Sequence, residues 1–301
     1  MVSPSVVELP GPWAHEFLHT RGVRLHAAVT GPATGPLILC IHGSVGGWFD
    51  YRGVLEPLAA AGFRVAALDL RGYGMSDKPP IEPGQDVRTL IGDIAGAIQA
   101  LGYEQAVLVG NDTGAALAWA VAAERPARVA AVVSISGAHP EDLRRSIMAR
   151  PWDFVWFILR AAASRLPMPL FKYVPREFLV RKDLSLNTAG PMPELSQLRE
   201  VAINIGNTLR GSVWNHRLLT ALMPRASAGK KVAAPVLFIH ANQGLWAPVF
   251  RRASRRARVI SALHIAGTKN LPHAEAPEEF ARAVIAWLTP PDTGADQGTG
   301  H

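Results

Sequence analysis

With 301 residues, 49% of them hydrophobic and 18% charged, the chain is long enough to bury a large core and too apolar to be disordered. Its 27 Gly and 24 Pro are dispersed, which excludes a collagen-like repeat, and the single cysteine, Cys40, excludes an intramolecular disulfide or a cysteine-rich zinc site. A lone thiol fits a reducing compartment, so the expected location is cytoplasmic. A formal charge of +7 could suit nucleic acid, but the arginines are scattered among apolar neighbours without a recognition motif. Even the dense RRASRRAR stretch from Arg251 to Arg258 reads as the solvated face of a helix. No apolar run reaches the roughly 18 residues of a membrane span, and the N-terminus lacks the basic and apolar regions of a secretion signal. Neither nucleic acid nor membrane is an expected partner.

In chain order, EFLHT and VRLHAAVTG flank the Arg21-Gly22 turn and predict an antiparallel hairpin at a sheet edge. Buried strands follow at 36–43, 63–70, 105–111, 128–137, 234–241 and 258–267, each an apolar run rich in β-branched residues. Between them FDYRGVLEPLAAAG, DVRTLIGDIAGAIQALG, TGAALAWAVAAE and APEEFARAVIAWL carry apolar residues at helical spacing. This alternation predicts an α/β fold, a mostly parallel sheet flanked by helices. The rhythm breaks over 138–225, where Trp152, Phe154, Trp156, Phe157, Phe171, Tyr173 and Trp214 lie in helix-like surroundings broken by prolines. That stretch reads as a helical lid inserted into a core formed by 1–137 and 226–290. Residues 291–301 are small and polar and read as a disordered tail.

The chemistry concentrates at Gly110-Asn111-Asp112-Thr113-Gly114. A strand ending in G-x-nucleophile-x-G and opening a helix is a nucleophile elbow, in which small flanking residues permit a strained turn that lifts one side chain above the sheet. The side chain here is Asp112. The same residues spell an Asn-x-Thr glycosylation signal, discarded because it lies at a buried sheet edge. The H-E-x-x-H spelling at His15 to His19 is likewise set aside as a zinc site, since it runs into the hairpin turn instead of forming a helix. His26 and His264 read as solvent-facing strand residues, His42 as a support for loop backbone, and Cys40 as an inert core thiol.

Four segments in this order, IHGSVGGW (41–48), DLRGYGMSDKP (69–79), VGNDTG (109–114) and LPHAEAPEEF (271–280), resemble the epoxide hydrolase and haloalkane dehalogenase branch of the α/β-hydrolase superfamily. The resemblance implies an α/β-hydrolase fold and no cofactor or metal. It also implies that Asp112 attacks carbon to give an ester, that His273 activates the water that hydrolyses it, and that the N–H groups of Ser44 and Thr113 form the oxyanion site. Three positions depart from the family's pattern. The usual place of the acid that orients the histidine holds Gly244, and its alternative place holds Ser136 and Gly137, with Glu141 several residues beyond. The later lid tyrosine is replaced by His216, and the earlier one falls in WDFVWF, where Trp152 or Trp156 offers a donor, with Tyr173 as an alternative. Thr113 stands where dehalogenases carry a halide-binding tryptophan. Arginines flanking the nucleophile, as fluoroacetate-type members need, are excluded by Thr113 and Ala116.

The resulting expectation is an epoxide hydrolase acting on a small apolar or aromatic substrate, with Trp152, Trp156, Tyr173 and Trp214 lining its site and His216 donating to the leaving oxygen. Haloalkane dehalogenase, a lyase or isomerase using Asp112 and His273 as acid and base, and a catalytically silent ligand-binding member are the alternatives. The oligomeric state is left open.

Overall fold

The computed structural model describes residues 2–80, 84–173, 175–221 and 229–289. The proposed tail at 291–301 lies outside the described residues. Eight strands form one sheet: β1 (Ala14–Thr20), β2 (Val23–Thr30), β3 (Leu37–Ile41), β4 (Arg64–Leu68), β5 (Ala106–Asn111), β6 (Val129–Ile135), β7 (Val236–Ile239) and β8 (Ile260–Leu263). Their spatial order is β1-β2-β4-β3-β5-β6-β7-β8. β1 and β2 form the expected antiparallel hairpin, closed by Arg21 and Gly22 in positive-φ conformations. β2 also runs antiparallel to β4, and every remaining pair is parallel.

The central strands are apolar on both sides because both faces are covered. Leu37, Leu39 and Ile41 of β3 point toward α2 (Val87–Ala100) and α3 (Thr113–Glu124), while Ile38 and Cys40 point toward α1 (Arg52–Ala60) and the helix Pro277–Leu288. Cys40 is fully buried and its thiol pKa is pushed up by that burial, in keeping with an inert core residue.

Two readings of the sequence need correction. His26 does not face solvent. It is fully buried in β2, with Nδ1 2.9 Å from Asp69 and Nε2 2.8 Å from His15 Nδ1, because the 69–77 loop folds over that strand end. Nor is the 251–258 cluster wholly a solvated face. Arg256, the last residue of the helix Trp246–Arg256, turns inward to form a bidentate pair with Asp142 at 2.5 and 2.9 Å. His264 is exposed, and His42 holds loop backbone by bonding Gly43 O and accepting from Leu70 N–H.

Between β6 and β7 the described residues are helical, with short 3₁₀ turns: α4 (Pro140–Ala149), α5 (Val155–Ala163), α6 (Arg176–Asn187), α7 (Pro193–Ile203) and α8 (Thr208–Thr220). α8 is seated tightly on the loop that follows β4. A Cβ on Gly72, which has φ +85°, would lie 2.7 Å from Gly211 Cα, so only two glycines allow this approach. Ser212 donates to Ser44 O, Asn215 to Arg71 O and Trp214 Nε1 to Gln85 Oε1 across the same contact. No helix among the described residues is long and apolar enough to cross a membrane.

Candidate active site

β5 leaves the sheet at Asn111, the chain turns at Asp112 with φ 49° and ψ −118°, and α3 starts at Thr113. A non-glycine residue in this region is strained, and the surrounding packing enforces it. A Cβ on Gly110 would sit 2.5 Å from the Gly114 carbonyl, and one on Gly114 would sit 2.2 Å from Ile41 O, so the turn closes only with glycine at both places. Asp112 N–H donates to Ile135 O and Asp112 O accepts from Ala116 N–H, fixing the bend at both ends. The carboxylate is thereby lifted to the floor of a cavity of about 300 Å³.

Its two oxygens have different partners. Oδ2 accepts from Ser44 N–H at 3.3 Å, while Oδ1 accepts from Arg160 Nη2 at 2.7 Å. Thr113, the first residue of α3, lines the cavity beside them. Arg160 comes from α5 and also donates through Nη1 to Asp183 Oδ1 at 3.1 Å. Arg199 of α7 reaches Asp183 at 3.5 Å and pairs with both oxygens of Asp50 at 3.1 and 2.8 Å. The result is a line of alternating charge, Asp112, Arg160, Asp183, Arg199, Asp50. Burial alone would raise the Asp112 pKa, but the adjoining Arg160 charge outweighs it and holds the carboxyl below the ordinary aspartate value. Burial prevails at Asp183, whose pKa is raised despite both arginines.

These charged residues are what the sequence reading missed. The arginine excluded from the neighbourhood of the nucleophile on the strength of Thr113 and Ala116 arrives instead from another helix. Its signal was a single cation in the otherwise apolar run VWFILRAAA, where a solvated charge would have neighbours of its own kind.

His273 lies in the short helix Pro272–Glu275 and is fully buried, stacked on Tyr51 with ring centroids 4.4 Å apart. Tyr51 in turn donates to Ile41 O and Asn111 Oδ1, which places the imidazole behind the elbow. Neither His273 nitrogen has a hydrogen-bond partner among the described residues. Burial, only partly opposed by the charge of Asp50, pushes its pKa down to about 3. Gly244 stands in a turn with open space where a side chain would project. Glu141 is committed to Arg144 and Arg145 on its own helix, and Ser136 donates to Asn270 Oδ1.

His216 is buried, with Nδ1 3.1 Å from Ser44 Oγ, and Ser44 Oγ donates to Thr113 Oγ1 at 3.0 Å. That direction puts the imidazole proton on Nδ1. Nε2 is left bare and buried without a partner, and burial lowers the pKa to about 3. The residue therefore braces the Ser44 loop, and it does not line the cavity.

Of the expected substrate-binding aromatics, Trp156 lines the cavity, together with Phe154, Phe157 and Trp246. Trp152 and Tyr173 are turned outward, 67% and 72% exposed, on 3₁₀ turns whose inward sides carry the buried Phe154 and Phe171. Trp214 is occupied against Gln85 and the core. None of these three lines the cavity, and among the described lining residues there is no tyrosine.

Residues 36–249 match the family described as alpha/beta hydrolase fold. Over 124 residues, 40% of this chain, the sequence is 42% identical to Epoxide hydrolase B of Mycobacterium tuberculosis, and the match spans 35% of that protein. Over 129 residues, 43% of the chain, it is 38% identical to AB hydrolase superfamily protein YfhM of Bacillus subtilis, spanning 45% of it. The chain thus matches less than half the length of these curated relatives. Among solved structures, Epoxide Hydrolase A from Mycobacterium thermoresistibile superimposes with a TM-score of 0.73 at 23% identity, covering 92% of this chain and 98% of that one. At that identity the likeness is one of fold. The family match covers most of the chain and coincides with the sheet order and the strained elbow, so the chain belongs to the α/β hydrolase fold family.

Proposed function

We propose that the protein is a hydrolase that opens epoxides through a covalent ester on Asp112. The observation that carries this reading is the strained elbow that lifts the Asp112 carboxylate to the cavity floor with its two oxygens differently held, Oδ2 by Ser44 N–H and Oδ1 by Arg160 on the cavity wall. Anchored through Oδ2, the carboxylate presents Oδ1 in line with an electrophilic carbon once Arg160 releases it. Bond formation from Oδ1 to carbon breaks the carbon–oxygen bond of the ring. The alkoxide so formed takes a proton from water, and the ester carbonyl oxygen falls where Ser44 N–H, and Thr113 N–H at the helix start, stabilise it. Water deprotonated by His273 then attacks the ester carbonyl carbon, the bond from that carbon to the substrate oxygen breaks, and the departing diol oxygen takes the proton back from His273 as the Asp112 carboxylate is restored. The aromatic and aliphatic wall, including Phe154, Phe157 and Trp246, suits the apolar part of a substrate.

The match to relatives named epoxide hydrolases supports the choice of electrophile. The orphaned nitrogens of His273 favour, as a second reading, a non-hydrolytic lyase or isomerase, because an unoriented imidazole is a poor base for water. A single turnover of styrene oxide in heavy-oxygen water separates the two. Covalent hydrolysis gives a diol whose new oxygen is unlabelled in the first turnover and an adduct of Asp112 visible by intact mass. A product without any added oxygen refutes hydrolysis, and immediate labelling refutes the covalent route.

A further inference from the structure

The oxygen that the proposed mechanism needs for attack is covered. Oδ1 of Asp112 is bound by Arg160 Nη2 at 2.7 Å, so a neutral electrophile reaches it only by breaking a partly buried ion pair with nothing offered in exchange. The guanidinium itself is incompletely satisfied. Nη1 is bound to Asp183 and Nη2 to Asp112, while the buried Nε has no acceptor among the described residues. Nε and Nη2 form one edge of the guanidinium fork, the edge that a carboxylate grips with both oxygens. A ligand carboxylate on that edge would fill the empty Nε donor and take Nη2 away from Asp112, freeing Oδ1.

Resting on the assignment of Asp112 as nucleophile, we propose that the substrate is an anion, an epoxide bearing a carboxylate next to the ring, and that Arg160 is its binding group. The cavity can take such a charge. Arg160, Arg199 and Lys269 on its wall balance Asp112, Asp153 and Asp183, so the ligand does not enter a chamber of net negative charge. Formation of the ester also removes the charge of Asp112, leaving Arg160 without its former partner at the moment when the ligand carboxylate supplies one. The apolar part of the substrate then lies against Phe154, Phe157 and Trp246.

The test compares 3-phenylglycidate with its methyl ester, two epoxides of nearly equal shape that differ in charge. In the wild type, kcat/KM for the carboxylate should exceed that of the ester by about 10²-fold or more. Arg160→Gln should slow ester formation on Asp112 with the carboxylate and speed it with the methyl ester, because the same change removes the anion's partner and uncovers Oδ1. A merely structural role would move both rates in one direction. The unreactive 3-phenylpropanoate should compete for the wild-type site and lose at least about tenfold in affinity in Arg160→Gln. An adduct on Asp112 that forms equally well or better from the methyl ester in the wild type overturns the role given to Arg160 and leaves the nucleophile intact. No adduct from either epoxide overturns both. If Arg160→Gln does not fold, the wild-type ratio decides the matter, together with competition at the wild-type site by 3-phenylpropanoate, which should exceed that by its neutral methyl ester at least about tenfold.

Discussion

His139, His216 and His273 are buried, and burial pushes the pKa of each from 6.5 down to about 3. Between these values the unfolded chain binds protons that the native protein refuses, so stability falls as the pH drops through 6.5 and is lost progressively toward 3. From pH 7 to pH 5 each histidine contributes a loss of about 2 kcal/mol, and the three together about 6 kcal/mol, a large fraction of the ~5–15 kcal/mol that holds a domain folded. His42, lowered by burial as well, adds in the same direction. Asp93 and Asp183, whose pKa values are raised by burial, act in the opposite direction. Urea unfolding followed by circular dichroism at pH 7, 6 and 5 measures the effect. Near pH 5 the slope should correspond to uptake of about three protons on unfolding. His273→Phe keeps a ring against Tyr51 and Phe280 and should reduce that uptake by about one. An uptake below one proton in the wild type would refute the claim that these imidazoles are neutral in the native state.

Three further outcomes follow from the site and its frame. Gly244→Asp fits open space and should accelerate decay of the Asp112 adduct by about tenfold or more, whereas Glu141→Gln should leave the decay unchanged; intact-protein mass against time reads both, and the reverse pattern would place the orienting acid on α4. His216→Phe should slow ester formation by less than about tenfold in stopped-flow, because His216 braces Ser44 and does not face the ligand; a loss of 10² or more would restore its role as proton donor. Arg256→Met leaves the buried Asp142 carboxylate without its partner and should cost about 3–5 kcal/mol in urea unfolding, with a loss under 1 kcal/mol showing that the pair contributes little.

The parts of the molecule governed by local pattern were legible in the sequence. Strand and helix alternation, the Arg21-Gly22 hairpin and the span of α3 follow from periodicity and turn residues that act over a few positions. The elbow was readable because its glycines obey a steric rule that leaves no choice of residue. What the sequence hid was non-local. The partner of Asp112 comes from 48 positions away, and that of Asp50 from 149 away, through helices whose packing angle no periodicity encodes. Trp152 and Trp156 look alike in the sequence, yet Trp152 is exposed beside the buried Phe154 of its own turn, while Trp156, four positions on, lines the cavity. His26 was misread because alternation along β2 says which face it occupies but not that the 69–77 loop covers that face.

The glycine contact between Gly72 and Gly211 bears on how the helical segment could be mechanically loaded. With no side chain between the two backbones and with Ser212, Asn215 and Trp214 all bonded across the seam, α8 behaves as an extension of the core, and prying it off would break several hydrogen bonds at once. α5 has no fully buried residue, and its ionic link to the elbow is Arg160. Drawing α5 away from the elbow must break that pair, while the C-terminal end of the same segment stays tied to α8 through Arg217, which donates to Ser164 O and Leu166 O. Widening the chamber from the α5 side thus uncovers the nucleophile in the same movement that breaks the Arg160–Asp112 pair.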